Sequence, residues 1–293
     1  MHKIRPHLWY DTQAVEAAEF YASSFPDSKL IDVNTIYDTP SGDTDIASFE
    51  LFGQPFMAIS AGPLFTFNPS VSFIVHCVDE DEVDALWGTL SQGGTALMPL
   101  DSYPFSKRYG WTQDRYGLSW QLMLAGGEVD QRITPTLMFV GDVCGKAEEA
   151  IGFYASIFPN SDRGDVLRYN KDEETDREGT VKYASFALAR QQFAAMDSAR
   201  NHDFSFNEAI SFMVSCDTQD EIDRYWESLS AIPEAEQCGW LKDRYGLSWQ
   251  VVPSAMDEMM RNGTKEQTAR VTEAFLKMKK FDIAALQKAY AES

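Results

Sequence analysis

The sequence predicts an α+β protein built from two copies of one domain, and three observations carry that prediction. A run of eight residues recurs without change, Asp-Arg-Tyr-Gly-Leu-Ser-Trp-Gln at 114–121 and again at 243–250. Within each copy the hydrophobic period switches between strand and helix in a fixed order. The chain has 293 residues, of which 44% are hydrophobic, enough for two cores, since a single core stops growing efficiently below this length.

The repeat extends well beyond the shared run. Phe20-Tyr21 and Phe25-Pro26 return as Phe153-Tyr154 and Phe158-Pro159. Phe67-Asn68, Ser72-Phe73, Trp87 and Gly110-Trp111 return as Phe206-Asn207, Ser211-Phe212, Trp226 and Gly239-Trp240. A period of about 130 residues is far longer than the units of solenoids and propellers, so each copy is expected to pack as a domain in its own right. The boundary is placed at 125–131, where Gly126-Gly127 interrupts an apolar segment.

In the first copy, 4–10 alternates as a strand, and Ala14, Ala17, Phe20, Tyr21 and Phe25 follow at helical spacing. Asp11 or Thr12 is placed to cap that helix, and Pro26 stops it. Alternating segments at 30–37, 46–52 and 55–60 read as three more strands. The order then repeats. A strand at 71–78 precedes a helix at 80–90 with Val83, Leu86, Trp87 and Leu90 on one stripe, and strands at 96–100, 110–112 and 118–124 follow. Each copy is thus two βαβββ modules, giving domains over 1–125 and 132–255. Residues 264–293 stand outside the repeat and read as a helical pair on the second domain, with Val271, Phe275 and Met278 on one face and Ile283, Leu286 and Tyr290 on another.

Charge and composition exclude several functions. With 45 acidic against 25 basic residues the net charge is −20, so the average surface repels phosphate backbones and anionic headgroups. Nucleic acid and membrane are therefore not expected partners. No apolar stretch reaches the length of a membrane span and residues 1–10 carry no signal core, which gives a cytoplasmic expectation. Four cysteines, none in a C-x-x-C pair, do not make a disulfide framework; Cys77 and Cys216 sit at matching places in apolar strands, where a thiol packs as a small core residue.

Paired βαβββ modules with Phe-Tyr-x-Ser-x-Phe-Pro-x-Ser after the first helix and Gly-Trp-x-x-Asp-x-Tyr-Gly-x-Ser-Trp-Gln at the end resemble the PhnB-like family. That family belongs to the vicinal oxygen chelate superfamily, with the glyoxalases, bleomycin-resistance proteins and extradiol dioxygenases. The resemblance covers 4–123 and 133–253, and the C-terminal segment is similar to an extension found on some members. It implies that modules form curved mixed sheets and that two modules make a cup whose concave face holds a ligand. It also implies that a cup otherwise completed across a dimer forms inside this one chain, as a monomer with an internal pseudo-dimer, or that the chain is a homodimer.

In the superfamily's enzymes a divalent metal is held by side chains of first and last strands. The resemblance places the first-strand position on His7 and Thr136, the last-strand position on Gln121 and Gln250, and a further position near Ser70 and near Ala209. Alternation puts Trp9 on the face of His7 and Met138 on the face of Thr136. His7, Trp9, Gln121, Thr136, Met138 and Gln250 are accordingly the expected ligand-binding residues, and His7 is the candidate catalytic residue. His7, Gln121 and Gln250 are weak metal candidates, because no carboxylate stands at a transferred position and a tight divalent site wants charged or imidazole ligands. No cofactor is expected.

Members of the family are often labelled demethylubiquinone methyltransferases. A methyl donor bearing adenosine sits over a glycine-rich strand-to-helix turn, which this sequence lacks. There is likewise no G-x-S-x-G elbow, P-loop or H-E-x-x-H, and His76 and His202 stand in no nucleophile motif. The Asp of Asp-Arg-Tyr-Gly reads as a turn residue bonding its own backbone. The expectation is a small-molecule-binding protein with a degenerate metal site. The alternatives are a metal-dependent lyase, isomerase or dioxygenase using His7 as a base, and a regulatory protein whose cups are filled by side chains.

Overall fold

A computed structural model describes residues 2–171 and 176–292, except the side chain of Asp38. Met1 and Ser293, which end the expected first domain and the C-terminal extension, lie outside the described residues. The first copy contains β1 (Ile4–Tyr10), α1 (Ala14–Ser24), β2 (Lys29–Thr39), β3 (Gly42–Leu51), β4 (Gln54–Ser60), β5 (Val71–Cys77), α2 (Glu80–Leu90), β6 (Thr95–Tyr103), β7 (Ser106–Gln113) and β8 (Ser119–Leu124). The second contains β9 (Ile133–Phe139), α3 (Ala147–Ile157), β10 (Asp162–Arg168), β11 (Val181–Leu188), β12 (Gln191–Asp197), β13 (Ile210–Cys216), α4 (Gln219–Leu229), β14 (Trp240–Lys242) and β15 (Ser248–Pro253). Three helices follow, α5 (Ser254–Asn262), α6 (Lys265–Phe275) and α7 (Ile283–Ala291), one more than the expected pair.

Alternation explains the layers. On β3 and β4, Phe49 and Phe56 are directly paired and face the helices, stacking at 5.5 Å, while their neighbours Ser48 and Met57 face the other way. α1 buries Ala14, Ala17, Ala18 and Tyr21, and Tyr21 stacks on Phe49. Phe20, expected on that stripe, is only half-buried because Ala18 takes the inward position. Neither Asp11 nor Thr12 caps the helix: the Ala14 N–H is taken by Ser60 Oγ at 3.0 Å, at the far end of the same module. The matching residue of the second copy, Asp197, accepts from the N–H groups of Gly145, Ala147 and Val181.

The chain divides into two compact units that do not coincide with the two copies. The first comprises Met1–Ala22, Ser28–Phe65 and Asn207–Ser293, the second Ser23–Asp27 and Thr66–Phe206. The first unit's sheet runs β14-β15-β13-β1-β4-β3-β2, and the second unit's runs β10-β11-β12-β9-β5-β8-β7-β6. Each sheet therefore joins the first module of one copy to the second module of the other. The junctions are antiparallel ladders between first strands, β1 with β13 and β5 with β9. The junction strands of the two copies keep the same apolar alternation, with Ile, Pro and Leu shared by β1 and β9 and Ser, Phe, Val and Cys by β5 and β13, so the repeat alone says that modules pair but not which copy supplies the partner.

The copies also differ at their last hairpin. β6 and β7 form a long pair in the second unit, whereas β14 in the first unit has three residues, which pair with β15 and, through Trp240, with the single residue Gln237. The C-terminal segment takes up the space. Cys238 and Gly239 donate their N–H groups to Met278 and Lys279 carbonyls at 2.9 and 2.8 Å, and α6 is opened by a Thr264–Gln267 capping box. Gly239 has φ +82°, and a Cβ there would lie 2.5 Å from Phe281 Cε2 and 3.0 Å from Val251 O. Gly239→Ala is therefore expected to cost about 2 kcal/mol from backbone strain plus a displaced ring, read as a lowered urea midpoint; an unchanged midpoint would separate the segment from the sheet. Among the described residues no helix is long and apolar enough to cross a membrane.

Candidate functional site

The concave face of the first unit's sheet can be read directly from strand register. His7 lies beside Ser211 on one side and Met57 on the other, and Met57 beside Ser48. Trp9 lies beside Ile59, and Ile59 beside Ile46. Gln250 lies between Trp240 and Met213. The β-strand period of two puts all of these on one side, and all but Ser211 line, with α5 and the loop after α6, a cavity of about 500 Å³. Its size is in the range of pockets for drug-sized molecules.

Aromatic rings form one wall. Trp9 meets Phe65 at 5.0 Å and Trp240 at 5.9 Å, both edge-on, and Trp240 meets the His7 imidazole edge-on at 5.3 Å. The Trp9 indole is fixed by donating to the Gly62 carbonyl at 2.8 Å. The floor is polar, with Arg5 on the same face of β1 as His7 and beside Met213. His7 is 3% exposed, and burial, with Arg5 adding to it, lowers its pKa to about 3, so the ring is neutral at physiological pH. His7 Nδ1 and Ser248 Oγ are buried without a hydrogen-bond partner among the described residues, and such groups ordinarily find one in water or a ligand. Gln250 donates to Ser211 Oγ at 2.9 Å.

The corresponding face of the second unit satisfies its polar groups internally. Gln121 donates to Ser72 Oγ at 2.8 Å, as Gln250 does to Ser211, but also accepts from the Tyr109 phenol at 2.7 Å. Trp111 donates to Ser119 Oγ at 2.7 Å. In the first unit Cys238 stands where Tyr109 stands, and Trp240, matching Trp111, packs on His7 while Ser248, matching Ser119, has no partner. Thr136 holds the His7 position beside Ser72, with its hydroxyl bonded to the Thr134 carbonyl. Met138 is buried, paired with Met196.

The structure thus brings His7, Trp9 and Gln250 to one cavity and places Gln121, Thr136 and Met138 in the other unit. The third position of the transferred set moves: register puts Ser211 and Ser72, not Ala209 and Ser70, beside His7 and Thr136. Trp240, Ser248 and Cys238 were not among the expected site residues. Trp240 was legible as cup wall, but the unpaired state of Ser248 depends on which way that indole turns. A hydroxyl–imidazole contact also escaped motif reading, Ser198 Oγ to His202 Nε2 at 2.9 Å, with the His202 ring tilted against Phe204.

The donor set does not fit a divalent metal. Around His7 stand a serine hydroxyl, a primary amide already donating to that serine, and the thioethers of Met57 and Met213. None brings the negative charge a hard or borderline dication requires. Among the described residues no cluster of three His, Cys, Asp or Glu side chains is placed to hold an ion. Burial raises the Cys77 and Cys216 thiols to about 12, so both stay protonated packing residues.

A pair of curved sheets of this module order is the glyoxalase and dioxygenase fold of the vicinal oxygen chelate superfamily. Glyoxalase I from Zea mays has this fold, with a TM-score of 0.54 at 12% identity over 87% of this chain and 95% of that one. The chain belongs to the PhnB-like family, whose sequence profile, described as 3-demethylubiquinone-9 3-methyltransferase, matches residues 2–123 and again 131–252. The PhnB protein of Bacillus cereus is 42% identical, covering 42% of this chain and 100% of that one, at a TM-score of 0.40. A protein from Staphylococcus aureus is 34% identical over 42% of this chain and 97% of that one, at a TM-score of 0.18. No curated protein matches.

Proposed function

We propose that the chain is a small-molecule-binding protein whose working site is the cup of the first unit, used without a metal. The observation that carries this reading is the cavity itself: about 500 Å³, walled by Trp9, Phe65 and Trp240, over a floor on which His7 Nδ1 and Ser248 Oγ have no partner among the described residues. A bound molecule recovers hydrogen bonds that otherwise cost about 1–3 kcal/mol each. In the second unit the same polar positions are satisfied by Tyr109 and Trp111, which supports an unequal division of labour between the two cups.

The family's description names a methyl transfer. In the first unit the two strand-to-helix turns, 11–13 and 217–218, contain no glycine, so they offer no close backbone cradle for an adenosine-bearing donor. A lyase or isomerase working through His7 as base is also disfavoured, because an imidazole with a pKa near 3 takes protons poorly at neutral pH.

Thermal-shift screening of a metabolite library, with and without EDTA, tests the proposal. A binding compound is expected to raise the melting temperature equally in both conditions, by mass action on the folded state. Cys238→Tyr, which sets a phenol into the cup where Tyr109 stands in the other copy, is expected to abolish that shift while Tyr109→Phe preserves it. Stabilisation that disappears with EDTA, or survives in Cys238→Tyr, would refute the metal-free cup.

A further inference from the structure

We propose that the first unit's cup takes a monocarboxylate with an apolar body, its carboxylate seated on Arg5 in place of Asp257. This assignment of the ligand's chemistry rests on the binding function proposed above.

Three buried polar atoms on the cup face lack a hydrogen-bond partner among the described residues: Arg5 Nε, His7 Nδ1 and Ser248 Oγ. Strand register groups them. Arg5 lies beside Met213 and Met213 beside Gln250, while His7 lies beside Ser211 and Ser211 beside Ser248, so all three stand on one face of β1, β13 and β15. The other copy supplies a control at each position. Thr134, in the place of Arg5, bonds His76 Nε2 at 3.1 Å. Thr136, in the place of His7, donates to the Thr134 carbonyl at 3.3 Å, and Ser119, in the place of Ser248, accepts from Trp111 at 2.7 Å. Unsatisfied buried polar groups are uncommon in folded proteins, and these three gather on the face that lines the cavity.

Hydrogen-bond roles fix the chemistry of the partner. A guanidinium Nε can only donate. A serine hydroxyl and a neutral imidazole, the state of His7, can donate as well, so the group that suits all three is an oxygen acceptor. The charge on Arg5 makes that acceptor a carboxylate. The side of the guanidinium formed by Nε and Nη2 takes both oxygens of a carboxylate, yet Asp257 brings Oδ1 alone, to Nη2 at 3.0 Å, and leaves Nε unmet. A ligand carboxylate meeting both nitrogens makes the stronger pair. Asp257 is placed to yield: its side chain is 37% exposed, and Met259 is the one buried residue of α5. Asp257 is itself a lining residue, so its displacement opens Arg5 to the cavity.

Along β1 the cup face continues from Arg5 to His7 and Trp9, about 7 Å at each step, with Met213, Met57 and Ile59 beside them or one residue on. A molecule held at Arg5 by its carboxylate lays an apolar body over Met57, Ile59 and Trp9. The net charge of −20 and the exposed Glu234 oppose an anion at long range. Salt screens such charges beyond about 10 Å but leaves a partly buried contact pair largely intact.

Three monocarboxylates of different body, octanoate, 4-phenylbutyrate and 2-naphthoate, are titrated into the full chain at neutral pH beside their primary amides, which keep the shape without the charge. Calorimetry is the readout and thermal shift the check. At least one acid is expected to bind saturably and at least about tenfold more tightly than its amide. Arg5→Gln is expected to remove that preference. Asp257→Asn, at a partly exposed residue, removes the competing charge and is expected to tighten the acid about threefold while leaving the amide unchanged; it decides alone if Arg5→Gln does not fold. Amides that match or exceed their acids, a preference that survives Arg5→Gln, or no tightening in Asp257→Asn would overturn the proposal. Library compounds that bind the cup while none of the three acids does would also overturn it, with the binding function left standing. Failure of the binding function itself reads differently, as no stabilisation by any compound of any class, and takes the carboxylate assignment with it.

Discussion

Asp243→Ala is expected to lower the free energy of unfolding by about 4 kcal/mol, the largest loss predicted for any single substitution here. Asp243 is fully buried. One carboxyl oxygen accepts the N–H groups of Tyr245 and Leu247 at 2.8 and 3.1 Å, and the other accepts the Trp249 indole N–H at 2.9 Å. Trp249 in turn packs against Phe212 at 5.6 Å in the core. Truncation strands three buried donors at once, each costing about 1–3 kcal/mol. Asp114 holds Tyr116, Leu118 and Trp120 in the same way, so Asp114→Ala is expected to cost a similar amount. The asparagine variants keep one acceptor but set an N–H against the indole N–H, and are expected to lose about half as much. Urea denaturation followed by tryptophan emission measures all four; a loss below 1 kcal/mol in Asp243→Ala, on the order of a single exposed hydrogen bond, would mean the box is not holding the turn to the core.

The second large effect is a pH dependence centred on His7. Burial, reinforced by Arg5, holds the folded-state pKa near 3, against an ordinary value of 6.5. Above pH 6.5 the ring is neutral in folded and unfolded chains alike and contributes no slope. As pH falls below 6.5 the unfolded chain takes up a proton that the folded chain refuses, so stability falls by about 1.4 kcal/mol per pH unit until the folded ring also titrates near 3. The total approaches about 5 kcal/mol. Carboxylates contribute acid losses of their own, and comparison with His7→Gln removes them. Between pH 7 and 5 the wild-type chain is expected to lose about 2 kcal/mol more than the variant. Identical slopes would place a counter-charge or a proton on His7 that the structure lacks.

These two residues mark how far the sequence was legible. The strand and helix order was readable because period-two and period-3.6 patterns are local, and β1, α2 and β4 fall within a residue or so of their expected bounds. The Asp-Arg-Tyr-Gly turn was readable as a turn for the same reason. Its bond to Trp120 and Trp249 was not announced by turn chemistry, although the fixed six-residue spacing in both copies carried it. The exchange of modules between copies was not readable, because the competing pairings present the same apolar alternation. A third helix over 254–262 was missed because Pro253 and a polar face disguised its start.

The site was legible in part for a related reason. Strand alternation alone placed His7 and Trp9 on one face, and the family resemblance placed Gln250 at a last strand. What sets the two cups apart includes the replacement of Tyr109 by Cys238, beside that of Thr136 by His7, on which Trp240 packs. A repeat comparison displays that substitution but assigns it no consequence until Gln121 and Ser119 are seen to be satisfied and Ser248 is not.

The most direct measurement is a crystal structure of the chain with the best stabilising compound from the screen, recorded with an anomalous-scattering scan for metals. The account predicts a small molecule in the first unit's cup, in contact with Trp9 and Trp240 and hydrogen-bonded to the floor of His7, Ser248 and Gln250, and no anomalous peak there. A well-ordered cation on His7 completed by carboxylate oxygens would contradict it.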